Sequence, residues 1–404
     1  MDVDIIMIQK AVYQVANTNS TNLMNLLTYQ LNSNPHHKRV CRNLLLFVYP
    51  FLAIALIAGC SGTDGQATDS DPRISLLDDA ELAVFMDFTS MRESEFGKKM
   101  EEMDPRENNQ LPEQMNELQK ELLPKLGLTE DDIDSLAISV SNMEALGNKK
   151  IKKGNFSGAI FTKKRVTTAE MEAALNTVSE QKKNTAFSKY KKSDYKGYPL
   201  YLDQSAQSEI PMAISLIESG DGSLYLLGDP ESVKTSIDRN KDAKITSSGV
   251  YAQALKHGLT EKQNWLMMTI PGPLQDKLSA SLQAPQVAQM LGSTADALGT
   301  LHQIGMTLDS SKQLDLGLTF SLASQKDADA VKTMLDSMMN GMVGMMIRSN
   351  FGGSMDFLDA YQSTVEESSV QMQTAITVSD IERMQKKSQQ SQQEQVTMPG
   401  MNSQ

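Results

Sequence analysis

Both cysteines of the 404-residue chain, Cys41 and Cys60, lie ahead of every segment with the pattern of a folded domain. The body after residue 60 must therefore hold together without a disulfide, a cysteine metal ligand or a thiolate nucleophile. Histidine is almost as scarce, with only His257 and His302 beyond the leader, so multi-histidine metal sites and His-Cys chemistry have too few groups to draw on. No metal and no cofactor is expected. Roughly 300 residues remain for the body, enough for one large domain or two ordinary ones. Aromatics make up 5% and Trp265 is the single tryptophan, which disfavours a carbohydrate cleft of stacked indoles; the 26 methionines take over much of the core filling.

The leader has the order of a signal peptide. His36-His37-Lys38-Arg39-Val40-Cys41-Arg42 is a positive segment, and Leu44 to Ala58 is apolar apart from Pro50. As a helix that stretch rises only about 22 Å, short of the roughly 30 Å of bilayer hydrocarbon. It ends in Ile57-Ala58-Gly59-Cys60, which resembles the lipobox of bacterial lipoproteins: a branched aliphatic residue, a small residue, Gly or Ala, then Cys. The resemblance implies cleavage between Gly59 and Cys60 and acylation of Cys60, which becomes the membrane anchor. Ser61 stands where Asp retains such proteins at the inner membrane, so the expected location is the periplasmic face of the outer membrane. About thirty-five residues precede the charged segment, longer than usual for such leaders, and point to initiation at a later codon.

Removing residues 1 to 59 takes away four of the 38 basic residues (Lys10, Lys38, Arg39, Arg42) and two of the 50 acidic ones (Asp2, Asp4). The net charge moves from −12 to −14. That balance disfavours nucleic acid as a partner and suits a body held off an anionic surface.

Five regions follow from patterning: a leader over 1–59, a lipid-anchored linker over 60–76, α+β units over 77–245 and 246–384, and a Gln/Ser-rich disordered tail over 385–404. In the first unit, Leu82 to Met86 and Leu136 to Val140 read as strands. Phe156 to Phe161 pairs with the latter across the turn Asn148 to Gly154. Thr167 to Glu170 is a capping box opening a helix through Val178. Strands at Tyr198 to Leu202, Met212 to Glu218 and Ser223 to Leu227 precede a helix with Asp229 as N-cap and Pro230 at its first position.

The second unit repeats that order. Trp265 to Thr269 answers Ala83 to Asp87, Gln303 to Leu308 answers Leu136 to Ser141, and Leu314 to Phe320 answers Phe156 to Phe161. A helix from Gln325 to Met339 answers the one at Thr167. The alternating Val370 to Val378 and a capping box from Ser379 to Glu382 answer the Ser223 strand and the Asp229 helix. The expected architecture is two tandem related units, each an antiparallel sheet with helices covering one face. Asp79-Ala80-Glu81-Leu82-Ala83-Val84-Phe85 and Leu226-Leu227-Gly228-Asp229-Pro230-Glu231-Ser232-Val233 resemble uncharacterised tandem-repeat envelope lipoproteins of aquatic bacteria, a resemblance that implies no activity and no functional residues.

Several clusters invite a chemical reading. Met334, Met338, Met339, Met342, Met345 and Met346 have helical spacing; thioethers suit Cu(I), but the same spacing serves a buried face. Lys149, Lys150, Lys152 and Lys153 open a basic stretch running through Lys163, Lys164, Arg165, Lys182, Lys183, Lys189, Lys191 and Lys192. It suits an anionic envelope partner, or the acidic segment Glu93 to Asp134 of the same unit. Glu130-Asp131-Asp132-Asp134 lacks calcium-loop spacing and follows Thr129 where a cap is expected. No Gly-x-Ser-x-Gly elbow accompanies His257 or His302. The sequence thus points to a non-enzymatic envelope lipoprotein that binds a protein or polymer. A carboxylate-dependent hydrolase and a carrier of an apolar ligand stand as alternatives.

Overall fold

The computed structural model describes residues 71–103, 124–143, 156–181, 189–204, 212–220, 222–341, 344–345, 356–383 and 386. The twelve strands are β1 (Leu82–Asp87), β2 (Ile133–Val140), β3 (Phe156–Thr162), β4 (Tyr190–Tyr195), β5 (Tyr198–Asp203), β6 (Ala213–Glu218), β7 (Ser223–Gly228), β8 (Asn264–Thr269), β9 (Gln303–Ser310), β10 (Leu314–Ser321), β11 (Gln362–Glu366) and β12 (Ser369–Ile376). They form one antiparallel sheet in the order β11-β12-β10-β9-β8-β1-β2-β3-β7-β6-β5-β4. The seam is the β1/β8 pair, where Val84 stands opposite Leu266. Outward from it the order is β2-β3-β7-β6 on one side and β9-β10-β12-β11 on the other.

Helices α1 (Phe88–Glu93) and α2 (Glu95–Met103) follow β1, α3 (Thr168–Gln181) follows β3, and α4 (Pro230–Lys241) and α5 (Gly249–Lys256) follow β7. Next come α6 (Gly272–Leu282), α7 (Pro285–Leu291) and α8 (Thr294–Gly299) between β8 and β9. Helix α9 (Gln325–Asn340) follows β10 and α10 (Asp356–Asp359) precedes β11. The mixed α+β class is as expected. The helices, however, cover both faces, not one.

The reason lies in the strand sequences. Strand β7 reads Ser-Leu-Tyr-Leu-Leu-Gly, an almost unbroken apolar run, which is what a strand buried on both faces requires. Its Tyr225 packs forward with Met171 and Leu175 of α3, while Leu224 and Leu226 pack backward with Val233 and Ile237 of α4. Ala83, Trp265 and Met267 likewise meet Val250, Tyr251 and Ala254 of α5 on the back. Strands β9, β10 and β12 alternate instead, with Ile304, Met306 and Leu308 or Val370 and Met372 in front and Thr307, Asp309, Gln371 and Gln373 behind. In this half the covering helices, α8 and α9, pack on the front.

Local chemistry sets the boundaries. The Asp229 carboxylate caps α4, accepting from the backbone N–H groups of Glu231 (3.1 Å) and Ser232 (3.2 Å). Gly228 just before it has φ 152°, and a Cβ there would stand 2.6 Å from the Phe156 carbonyl oxygen, so only glycine lets β7 close onto β3. The Thr167/Glu170 box is formed, with the Thr167 backbone N–H donating to Glu170 at 2.8 Å. The box expected at Ser379 to Glu382 is displaced by two residues. Thr377 and Asp380 cap each other (3.3 and 3.2 Å), because the fully buried Asp380 also accepts from the backbone of Asp356 and Phe357. Residues 71–75, read as tether, form a 3-10 turn capped by Asp71. Ile74 and Leu76 are buried against the back of the sheet.

Candidate functional site

The carboxylates are engaged in capping. Asp87 ends β1 and caps α1, accepting from the Ser90 backbone N–H at 2.6 Å and from the Ser90 hydroxyl. Burial pushes its carboxyl above the usual range, Asp134 adds to the shift, and the Ser90 donors oppose it. Asp134 accepts from the Thr89 hydroxyl at 2.7 Å and the Ser135 hydroxyl at 3.1 Å. Asp132 closes the turn at Thr129, whose backbone N–H (2.7 Å) holds its carboxyl below the usual range. His302 Nδ1 lies 3.4 Å from the Thr300 carbonyl. Among the described residues no hydrogen bond joins the imidazole of His257 or His302 to a carboxylate or a serine hydroxyl, and no group of three or more His, Cys, Asp and Glu side chains is placed to hold a metal.

Four residues of the basic stretch are met within the chain. Lys163 pairs with Glu93 at 3.6 Å, Arg165 with Glu218 at 2.8 Å and Lys192 with Glu172, and the Lys164 ammonium donates to the Gly127 carbonyl. Lys149, Lys150, Lys152 and Lys153 lie outside the described residues, as do Gly59, Cys60, Met342 and Met346.

A feature that single-residue motifs could not show emerges from the register on the front face. Directly opposed residues form a transverse row, Ile138, Val84, Leu266, Met306, Leu318 and Met372, crossing six strands from β2 to β12. At about 4.8 Å per strand the row is roughly 24 Å long. Beside it, Leu308 opposes Leu316. The front positions of β8, β9, β10 and β12 include no charged side chain.

Cover over this row is uneven. Ile138 and Val84 are buried with Phe88 and Met143, and at the far end Met372 packs with the cluster of Leu322, Val331 and Val370. Between them Met306, Leu308, Leu316 and Leu318 are only half-buried and join none of the core clusters of described residues. Helix α9, seated beside it on β11 and β12, is likewise incompletely covered. Ala328, Val331, Leu335 and Met338 lie at i, i+3, i+7 and i+10, the sheet-facing stripe of α9. Ala328 and Val331 are buried, yet Met338 is 47% exposed, and Met345 beyond it 64%. Among the described residues, the half-buried apolar front of β9 and β10, beside a helix seated on β11 and β12 that ends in exposed thioether, forms a trough.

Two hydrogen bonds tie flanking helices to these strands. The Phe96 N–H of α2 donates to the Ser311 carbonyl at the β9–β10 turn (2.9 Å), and the Thr374 hydroxyl donates to the Phe357 carbonyl of α10. Flexible, polarisable methionine is the side chain suited to gripping varied apolar shapes. Among the described residues the floor, Met306, Leu308, Leu316 and Leu318, presents apolar side chains only, a surface chemically suited to apolar contact.

No protein-family model matches this chain, and neither a curated protein nor a solved structure does. No helix among the described residues is long and apolar enough to cross a membrane.

Proposed function

We propose that the protein is a non-enzymatic, lipid-anchored envelope protein whose front trough shelters an acyl chain or a similarly extended apolar group. The observation that carries the reading is the half-burial of Met306, Leu308, Leu316 and Leu318 in the middle of the apolar front row, beside a helix α9 that packs on β11 and β12 and leaves Met338 exposed. An acyl chain fits better than a polar ligand because a row roughly 24 Å long with no charged neighbour offers dispersion and desolvation alone. The lipobox-like Ile57 to Cys60 supports an acylated anchor at Cys60. Only ten residues, Ser61 to Ser70, separate Cys60 from the Asp71 turn, so an anchor at Cys60 would keep the body within about 35 Å of the membrane that would supply its ligand.

The body itself is best read as a tandem duplication. Placing Val84 and Leu266 on a two-fold axis through the seam makes Leu136, Ile138 and Val140 equivalent to Ile304, Met306 and Leu308. The two hairpins β6–β7 and β11–β12 then fall in matching places.

Titration of the full chain with a fluorescent sixteen-carbon fatty acid tests the trough. Leu318→Gln and Met306→Gln should each weaken binding about tenfold, the equivalent of roughly 1.4 kcal/mol, while Thr307→Gln on the opposite face leaves it unchanged. Equal affinity in all three variants would remove the trough as the binding surface.

A further inference from the structure

We propose that the outer edge of β11 pairs with β11 of a second copy of this chain, antiparallel about a two-fold axis at Thr364. The motivating observation is the edge itself. β11 ends the sheet, and no described backbone group bonds to its outer side. Its pairing with β12 is unbroken from Gln362↔Gln373 to Glu366↔Ser369, without proline or bulge, and a two-residue turn joins the strands with Glu367 at φ 52°. In such a hairpin the residues closing the turn exchange hydrogen bonds, so Glu366, Thr364 and Gln362 point their main-chain groups at β12. Ser363 and Val365 point theirs outward.

That leaves two N–H and two C=O groups on the open edge. Pairing about Thr364 sets Ser363 against the second copy's Val365 and the reverse, which satisfies all four groups on each strand. On the back face Thr364 meets its own copy and Gln362 meets Glu366, so no like charges oppose one another. The strand is also held ready. Tyr361 donates to Asp336 of α9 at 3.0 Å, and the Ser363 hydroxyl donates to the same carboxylate.

Two comparisons within the molecule favour this edge. On the other side of the seam the place of β11 belongs to β6, and β6 does carry a further strand, with Leu200 of β5 opposite Ser215 and Leu202 opposite Ala213. This equivalence rests on the duplication; the edge geometry does not. The far edge, β4, instead exposes Lys191 and Lys192, charges that discourage strand addition. A five-residue pairing is smaller than a standard interface, so the contact is concentration-dependent, and anchoring copies in one membrane would strengthen it.

The test uses single cysteines in the full chain carrying Cys41→Ser and Cys60→Ser, so its outcome is independent of the lipid anchor and of the trough. Thr364 residues would face each other as a non-hydrogen-bonded pair with Cα atoms about 4.5 Å apart, within disulfide reach; the two Gln362 residues would be roughly 13 Å apart, outside it. Under mild oxidation Thr364→Cys should form a covalent dimer at least about tenfold faster than Gln362→Cys. A mixture of Gln362→Cys and Glu366→Cys chains should form the heterodimer. Unchanged Trp265 emission confirms that the variants are folded. Equal rates at the three positions, or no dimer from Thr364→Cys, overturns the proposal.

Discussion

Replacing Leu226 and Leu318 by alanine, one at a time, separates sealed core from open trough. Both leucines lie in the middle of a strand, and both substitutions remove the same atoms. Leu226 has no exposed surface and packs with Ala159, Val233 and Ile237 beneath α4, so its truncation loses the transfer free energy and leaves a cavity. Leucine-to-alanine changes at such sites cost about 2.7–5 kcal/mol. Leu318 is half-buried on the trough floor. Its three lost methylene equivalents are worth at most about 2.4 kcal/mol, roughly half of which is already forfeited to water, and no enclosed cavity forms. The expected loss is about 1 kcal/mol. Urea unfolding followed by Trp265 emission reads both, since the indole is 2% exposed between Phe85 and Tyr251 and reports loss of the core. A loss for Leu318→Ala as large as that for Leu226→Ala would mean that the floor is sealed core, and the binding argument would fail.

Other consequences can be checked alongside. Asp229→Ala removes the Oδ1 acceptor of two N-cap hydrogen bonds and should destabilise the body by about 1–2 kcal/mol, with Asp229→Asn recovering most of it in the same urea assay. Burial, reinforced by Lys256, holds the His257 imidazole below its ordinary value against the opposing Glu366 and Glu367. The unfolded chain then binds that proton more readily, so this contribution to stability is complete above about pH 6.5 and lost as pH falls through the lower folded value. Unfolding free energies between pH 5 and 7.5 should fall toward acid in the wild type and less so in His257→Gln; parallel profiles would contradict the assignment. Radiolabelled palmitate should enter the wild-type chain and not Cys60→Ala, and incorporation that survives the substitution would remove the anchor.

What the sequence discloses depends on whether a segment's own pattern decides its structure. Strands β1, β2, β3, β5, β6, β7, β8, β9, β10 and β12 announce themselves as apolar or alternating runs, and the Asp229-Pro230 and Thr167/Glu170 starts are legible because a cap is local chemistry. Strands β4 (Tyr-Lys-Lys-Ser-Asp-Tyr) and β11 (Gln-Ser-Thr-Val-Glu) escape notice because an edge strand has little to bury, and β4 reads instead as part of a basic patch. The second layer of helices follows from β7 being apolar on both faces, a hint present in Leu224 to Leu227 but without a partner until α4 folds back. The proposed duplication reads in the sequence as an order of elements. Its alignment needs the pairings, however, since the proposed two-fold axis sets Leu136 against Ile304 and not Gln303, and a one-residue shift exchanges the two faces of a strand. The trough is invisible in sequence for the same reason. Met306, Leu318 and Leu266 become neighbours only through register, and Met338 looks like ordinary core until its exposure is seen.

The central claim is that an acyl chain lies along the front trough, and photolabelling tests it most directly. The full chain is incubated with a sixteen-carbon fatty acid bearing a diazirine near mid-chain, illuminated, digested and mapped. Label concentrated on the peptides containing Met306 and Leu308, Leu316 and Leu318, and Met338, and displaced by excess unlabelled fatty acid, is the predicted result. Label that spreads over the back face, including Thr307, Gln371 and Gln373, or that is not displaced, would contradict the account.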